Sequence, residues 1–353
     1  MIPVHIIKAK LQWEARRYLA RIEFRLRRDQ WLRSFASAVR HVTIETTNIC
    51  NADCIFCAYQ FQTRPTGVMS KELFQKIVDE YCELGGGELG LTPTVGDPLV
   101  DKNLVARIRY ARSKPAIHGI GMYSNMISLD RVGLQELLHS GVSSIMVSTS
   151  GFDEQMYRRV YRSQMYRQML HNVTAFAIAN NAAGRPVDFR IDMRVDRSAD
   201  EVFHFPDHLE VARVVGAENI GIKFRYDNWA GFITPDQLSG NMRLRDAGKS
   251  RKNSPCSQLY LGPMIFWDGR VGGCGCRDVN AAELIIGDVK REHLGAIWHG
   301  EEIRKLRDEF VTDRIKPICA SCTHYTSVGT LLMNKDRLVE VRPAANRAIS
   351  SSA

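Results

Sequence analysis

Thr46-Thr47-Asn48-Ile49-Cys50-Asn51-Ala52-Asp53-Cys54-Ile55-Phe56-Cys57 is the stretch that decides how this chain is read. Its three cysteines, spaced C-x3-C-x2-C, follow a short β-branched run, Val42-Thr43-Ile44. The run predicts a strand, which puts the cysteines on the loop at its end. Three thiolates are one short of the four protein ligands that close an iron–sulfur cube or a structural zinc site. Such a set leaves one metal position open to another molecule. A zinc knuckle or plain buried thiols are the alternative readings of the residues alone.

Outward from the loop, short β-like runs alternate with helical stretches. Strands are expected near 42–47, 88–93, 117–123, 143–149, 187–194 and 219–225, and helices near 70–84, 101–113, 129–139, 153–180 and 205–215. This alternation predicts an α/β fold, a parallel sheet with helices outside. In such sheets the chemistry lies at the C-terminal ends of the strands, where the cysteine loop is placed.

The cysteine spacing, the aromatic Phe56 before the third Cys and the place after a first strand together resemble the radical S-adenosylmethionine (SAM) superfamily. The resemblance implies a partial (β/α)6 TIM-like barrel. It implies that Cys50, Cys54 and Cys57 hold a [4Fe–4S] cluster whose open iron is chelated by SAM. Reductive cleavage of SAM then yields a 5′-deoxyadenosyl radical that takes hydrogen from the substrate, with a reductant such as flavodoxin or ferredoxin as partner.

Further segments follow in the family's order. Gly96-Asp97-Pro98 resembles the Gly-Glu-Pro motif whose backbone binds the methionine amino group, although Thr94-Val95 stands where the family often has Gly. Glycine admits a close backbone approach and proline stiffens the turn. Ser124 and Asn125 resemble a Thr-Asn-Gly strand ending. Ser148 and Ser150 resemble a segment lining the SAM ribose. Helix capping and strand-end turns explain such residues equally well one at a time. Arg190, Asp192 and Arg194 alternate and so share one strand face. Arg194 is a candidate for the SAM carboxylate; a structural ion-pair network is the other reading. Asn228-Trp229-Ala230-Gly231 resembles a segment near the substrate pocket in part of the family.

A second group lies downstream: Cys256, Cys274, Cys276, Cys319 and Cys322. C-x17-C followed by C-x2-C after such a barrel resembles the SPASM domain, in its shortened Twitch form. The resemblance implies one auxiliary [4Fe–4S] cluster on Cys256, Cys274, Cys319 and Cys322, hence two clusters in all. A four-cysteine zinc ribbon is the alternative. Cys276 is left over as a passive thiol, an alternative ligand or a hydrogen donor to a substrate radical. A donor would make an epimerase; without one the substrate radical is oxidised. Cys82 reads as a buried apolar thiol on a helix.

The 353 residues carry net charge +9 and ordinary globular composition. Residues 1–40 hold ten Lys/Arg against three acids, a local balance of +7, which leaves the remaining chain near neutral. They read as a basic amphipathic helical extension over 5–38, with apolar Ile7, Leu11, Tyr18, Ile22 and Leu26. A helical cap on the barrel and peripheral contact with an anionic membrane both fit, the latter with Trp13, Trp31 and Phe35 as anchors. No RNA-binding module is recognisable, so no nucleic acid partner is expected. With no export signal or transmembrane span, and with thiolate chemistry that needs a reducing compartment, a cytoplasmic location is expected.

The expected boundaries are 1–40 for the extension, 41–234 for the barrel and 235–255 for a polar linker. The auxiliary domain is expected at 256–330, and 331–353 as a C-terminal segment with a disordered tail. The expected substrate is a small sugar, polyol or aminocyclitol, oxidised or epimerised. Maturation of a ribosomal peptide is a rival reading, against which counts the short helical stretch before the barrel. A non-catalytic electron carrier is a third.

Overall fold

The computed structural model describes residues 14–16, 18–20, 22–245, 252, 254–275, 277–312 and 314–334. Cys276, Trp13 and the tail from 344 lie outside the described residues. Six strands form the barrel: β1 (His41–Ile44), β2 (Gly87–Gly90), β3 (Ile117–Ser124), β4 (Ser144–Thr149), β5 (Asp188–Arg194) and β6 (Ile220–Lys223). Each pairs in parallel with the next. Helices fill the connections, as right-handed parallel crossovers require.

The first crossover helix, Lys71–Glu83, shows why these residues take this shape. Ser70 caps it, its Oγ accepting from the Leu73 N–H at 3.1 Å. Leu73, Phe74, Ile77, Val78 and Tyr81 make a helical apolar stripe and are buried against the sheet. Cys82 lies on this helix, partly buried at the core edge.

Two expected helices are broken. The 129–139 helix divides at Gly133, which has φ +81°. The 153–180 helix becomes Glu154–Val160 and Tyr166–Ala182, separated by Arg162 at φ +47°. That second break has a use. It leaves the carbonyls of Val160 and Tyr161, which a continuing helix would consume, free to face the cysteine loop.

The 256–330 segment is joined to the barrel by its backbone. A hairpin of β9 (Met264–Ile265) and β10 (Arg270–Gly272), extended by β11 (Ile285–Asp288), continues the barrel sheet because β9 pairs in parallel with β1. The edge of β1 is thereby covered. Gly262 makes the approach feasible, since a Cβ there would lie 1.5 Å from the His41 carbonyl oxygen. Within the expected linker, β8 (Arg243–Leu244) pairs with β7 (Arg225–Tyr226).

At the N-terminal side, the described residues between 14 and 26 are helical, and a second helix spans Arg28–Ala36. The expectation that Trp31 and Phe35 anchor a membrane face is corrected here. Phe35 is buried in the core, and the partly buried Trp31 stacks on it at 5.7 Å.

Candidate active site

The cysteine loop is braced on three sides. From the break in the 154–182 helical region, the carbonyls of Tyr161 and Val160 accept from the Asp53 and Ile55 N–H groups at 3.2 and 3.0 Å. Beneath, Asn48 donates to Gln62 and Pro65 and accepts from the Gly67 N–H, all within 2.9 Å. From the β2 side, the Asp97 N–H donates to the Ile49 carbonyl at 2.9 Å. Cys54 is buried, and Cys50 and Cys57 are partly buried. Cys57 lies close enough to raise the pKa of Cys50 and Cys54, although burial is the larger cause. It pushes Cys57 up to about 11, and Cys50 and Cys54 well above the ordinary thiol value. Among the described residues no three His, Cys, Asp or Glu side chains are already drawn together as a metal site, so these thiols would close on a cluster only as it binds.

Gly96 passes over the loop at φ +130°, and a Cβ there would meet the Asn48 backbone at 3.0 Å. The Asp97 carboxylate lies close enough to the loop to raise the Cys50 pKa, second only to burial, and is itself held by the end of β3. It accepts from Ser124 Oγ and from the Asn125 and Leu99 N–H groups, and Pro98 begins the buried turn that follows. Burial pushes Asp97 up to about 6. Asp97 therefore shapes the end of β3 and holds Asn125 in place. The Asn125 side chain donates to Asn51 Oδ1 at 2.7 Å and stands 4.0 Å from Cys50 Sγ. Ser148 shares a hydrogen bond with the Tyr161 hydroxyl at 3.0 Å. Ser150 is fully buried, and its Oγ has no partner among the described residues.

The charged row on β5 divides by depth. Arg190 is exposed and bonds Asp188. Asp192 is buried and takes Lys223 and, at 3.4 Å, Arg194. The Arg194 guanidinium lies 5.3 Å over the Phe56 ring, which also packs on Tyr161 and Tyr226. Its positive charge favours the thiolate forms of Cys54 and Cys57. The aromatic residue before the third cysteine thus couples Arg194 to the loop.

In the second set, burial pushes Cys319 up to about 12, and Cys256 and Cys322 sit close enough to add to that rise. Cys274 leaves β10 partly buried. The Lys252 ammonium bonds the carbonyls of Cys319, Ala320 and Cys322 at 2.5–2.7 Å, and the Cys322 sulfur accepts from the His324 N–H. Thr94, out of line with the family motif, donates its hydroxyl to the Gly275 carbonyl at 3.0 Å. The departure ties the SAM-side loop to the auxiliary loop.

Four connections join the two sets, and two of them carry no signal of their own in the sequence. Arg64 forms a buried two-point ion pair with Glu45 at 2.5 and 2.7 Å and donates to the Val279 carbonyl. Arg277 bonds Asp227 at 2.6 Å and lies 4.3 Å over Trp229. Both members of that pair act on Cys57 and on Cys322, which places them between the two sets. Trp229 donates to the Phe56 carbonyl, while Asn228 bonds Ser321 and Thr323. Only the Asn228-Trp229 segment was marked in the sequence.

Comparison with known proteins agrees with this arrangement. Residues 44–181 match the radical SAM superfamily, and residues 256–323 match the SPASM iron–sulfur cluster-binding domain. GTP 3',8-cyclase of Pseudomonas syringae is 27% identical over 242 residues, covering 66% of this chain and 69% of its own. PqqA peptide cyclase of Bradyrhizobium diazoefficiens is 24% identical over 323 residues, covering 80% and 78%. The crystal structure of BtrN with AdoMet and 2-DOIA superposes with TM-score 0.51 at 15% identity, over 80% of this chain and 92% of that one. No helix among the described residues is long and apolar enough to cross a membrane. This chain is a radical SAM enzyme in which the SAM-binding barrel is followed by a SPASM-type domain for auxiliary iron–sulfur chemistry.

Proposed function

We propose that this enzyme abstracts hydrogen from a carbon of a small carbohydrate-like or aminocyclitol substrate, leaving that carbon oxidised or inverted. The observation that carries the reading is the Asp227–Arg277 pair, stacked on Trp229 between Cys57 and Cys322. With Asp192 and Arg194 on β5, it furnishes fixed charges and hydrogen-bonding groups of the kind a compact polar molecule needs. Cys50, Cys54 and Cys57 would hold the SAM-binding cluster, and Cys256, Cys274, Cys319 and Cys322 the auxiliary one. Bound SAM and its cluster supply a hydrogen-abstracting radical, and the auxiliary cluster supplies an electron sink.

The chain's own residues do the positioning. Gly96 lets the backbone pass close over the cysteine loop. Asp97 fixes Ser124 and Asn125, and Asn125 in turn orients Asn51 beside Cys50. Ser148 and Ser150 lie on the expected ribose side, where the Ser150 hydroxyl, without a partner among the described residues, suits a polar neighbour. Arg194 presents positive charge toward the SAM side. Phe56, Tyr161 and Tyr226 exclude water from beneath it. Cys276 is the candidate hydrogen donor that would decide inversion over oxidation.

The length of the match to PqqA peptide cyclase favours a second reading, modification of a ribosomal peptide. One experiment separates the two. The anaerobically reconstituted enzyme is given SAM, a strong reductant and host extract split into a sugar fraction and a peptide fraction, and 5′-deoxyadenosine is measured. Stimulation by the sugar fraction supports the carbohydrate reading. Stimulation by the peptide fraction alone overturns it. Solvent deuterium in the product would then mark inversion, and its loss in Cys276→Ala would identify the donor.

A further inference from the structure

We propose that the helix within residues 14–26 docks this enzyme peripherally on an anionic lipid surface. The helix carries two apolar faces. Ala20 and Phe24 are buried, and Phe24 packs over Gly329 beside the auxiliary domain. The second face points outward: Tyr18 is 65% exposed, Leu19 64%, Ile22 37% and Leu26 80%. Tyr18, Ile22 and Leu26 recur every fourth residue with Leu19 beside them, so they form one stripe along the helix. A helix held to the protein by one face and left apolar on the other is suited to lie in a membrane interface.

Charge selects the occupant. Arg16 and Arg25 are exposed on the same helix, and residues 1–40 carry a balance of +7. Two copies meeting through this stripe would bring two such balances together, which like-charge repulsion opposes. An anionic bilayer accepts the apolar side chains and pairs with the arginines together. The rest of the chain is near neutral, so this attraction would also orient the molecule with its auxiliary side toward the lipid.

The test uses the full chain, with its clusters reconstituted, and two kinds of vesicle: phosphatidylcholine alone, and phosphatidylcholine with phosphatidylglycerol. The enzyme is expected to sediment with the phosphatidylglycerol vesicles and to be released by salt. Leu19→Glu/Leu26→Glu should abolish sedimentation, while Arg16→Gln and Arg25→Gln should each weaken it about fivefold. These side chains are exposed, so iron content and far-ultraviolet circular dichroism should match the wild type, which separates loss of docking from loss of fold. The proposal is overturned if the wild type stays in solution, or sediments equally with phosphatidylcholine. It is equally overturned if the double variant still sediments, or if light scattering shows a wild-type dimer that this variant dissociates.

Discussion

The two cysteine sets are built in opposite ways. Cys50, Cys54 and Cys57 come from one loop of eight residues, clamped by a strand end, a helix end and the Asn48 side chain before any metal is considered. Cys256, Cys274, Cys319 and Cys322 come from three separated segments. These are held by contacts made from outside: Lys252 on the carbonyls of one turn, Asn228 on Ser321 and Thr323, and Thr94 on Gly275. The first site is a property of the barrel. The second is a property of how the auxiliary segment lies against it, so it should depend more on its metal and its neighbours.

The largest expected effect tests the first half of that contrast. Cys54→Ala should abolish SAM cleavage yet leave the barrel folded, as read by 5′-deoxyadenosine assay and circular dichroism; retained cleavage would remove Cys54 from the cluster. Arg64→Met comes next. It strands a fully buried Glu45 carboxylate and should cost about 3–5 kcal/mol, measured by denaturant unfolding of the reconstituted protein. A cost near zero would mean that the two regions do not share this brace.

Cys322→Ala should lower iron content by about half, in line with one of two cubanes lost. SAM cleavage should persist in that variant while product formation fails. Asn228→Ala removes its side-chain bonds to Ser321 and Thr323 and should cost about 1–3 kcal/mol. Its diagnostic is faster loss of iron to a chelator from the second site alone. Equal loss from both would dissolve the distinction between them.

The smallest effect is a control away from both sites. Burial lowers the pKa of His208, which lies between Phe152 and Phe203. Its native state therefore binds fewer protons than its unfolded state. The stability tied to this group is fully present above the ordinary His value near 6.5 and is lost as pH falls below it through the lowered folded value. Melting temperature followed from about pH 8 to 5 should show that fall, and His208→Gln should flatten it.

Much of the barrel was legible because period-two and period-3.6 patterns alternate cleanly from Val42 to Lys223. The three loop cysteines could be read together because they lie within eight residues of one another. The helix break at Arg162 was not, since no Gly or Pro marks it and tertiary bonds to the cysteine loop hold it. The Glu45–Arg64 pair carries no periodicity, and two opposite charges 19 residues apart announce nothing until the loop closes. The apolar spacing of Trp31 and Phe35 was visible, but which face met the core was not. Arg277 is a single basic residue after Cys276 and Lys252 one of three basic residues in a polar run before Cys256, and their partners are set only when distant segments meet.

The pairing of β9 with β1 has a consequence for synthesis. Thr43 waits for Met264, roughly 220 residues later, before its open edge is covered. At about 5–20 residues per second, a ribosome leaves that edge bare for roughly 10–45 seconds. During that interval the nascent barrel offers an unpaired strand, directly preceding three reactive thiols, to any neighbouring chain. Delivery of iron and sulfur to the first loop can begin in this window, whereas the second set has no complete complement of cysteines until Cys322 has emerged.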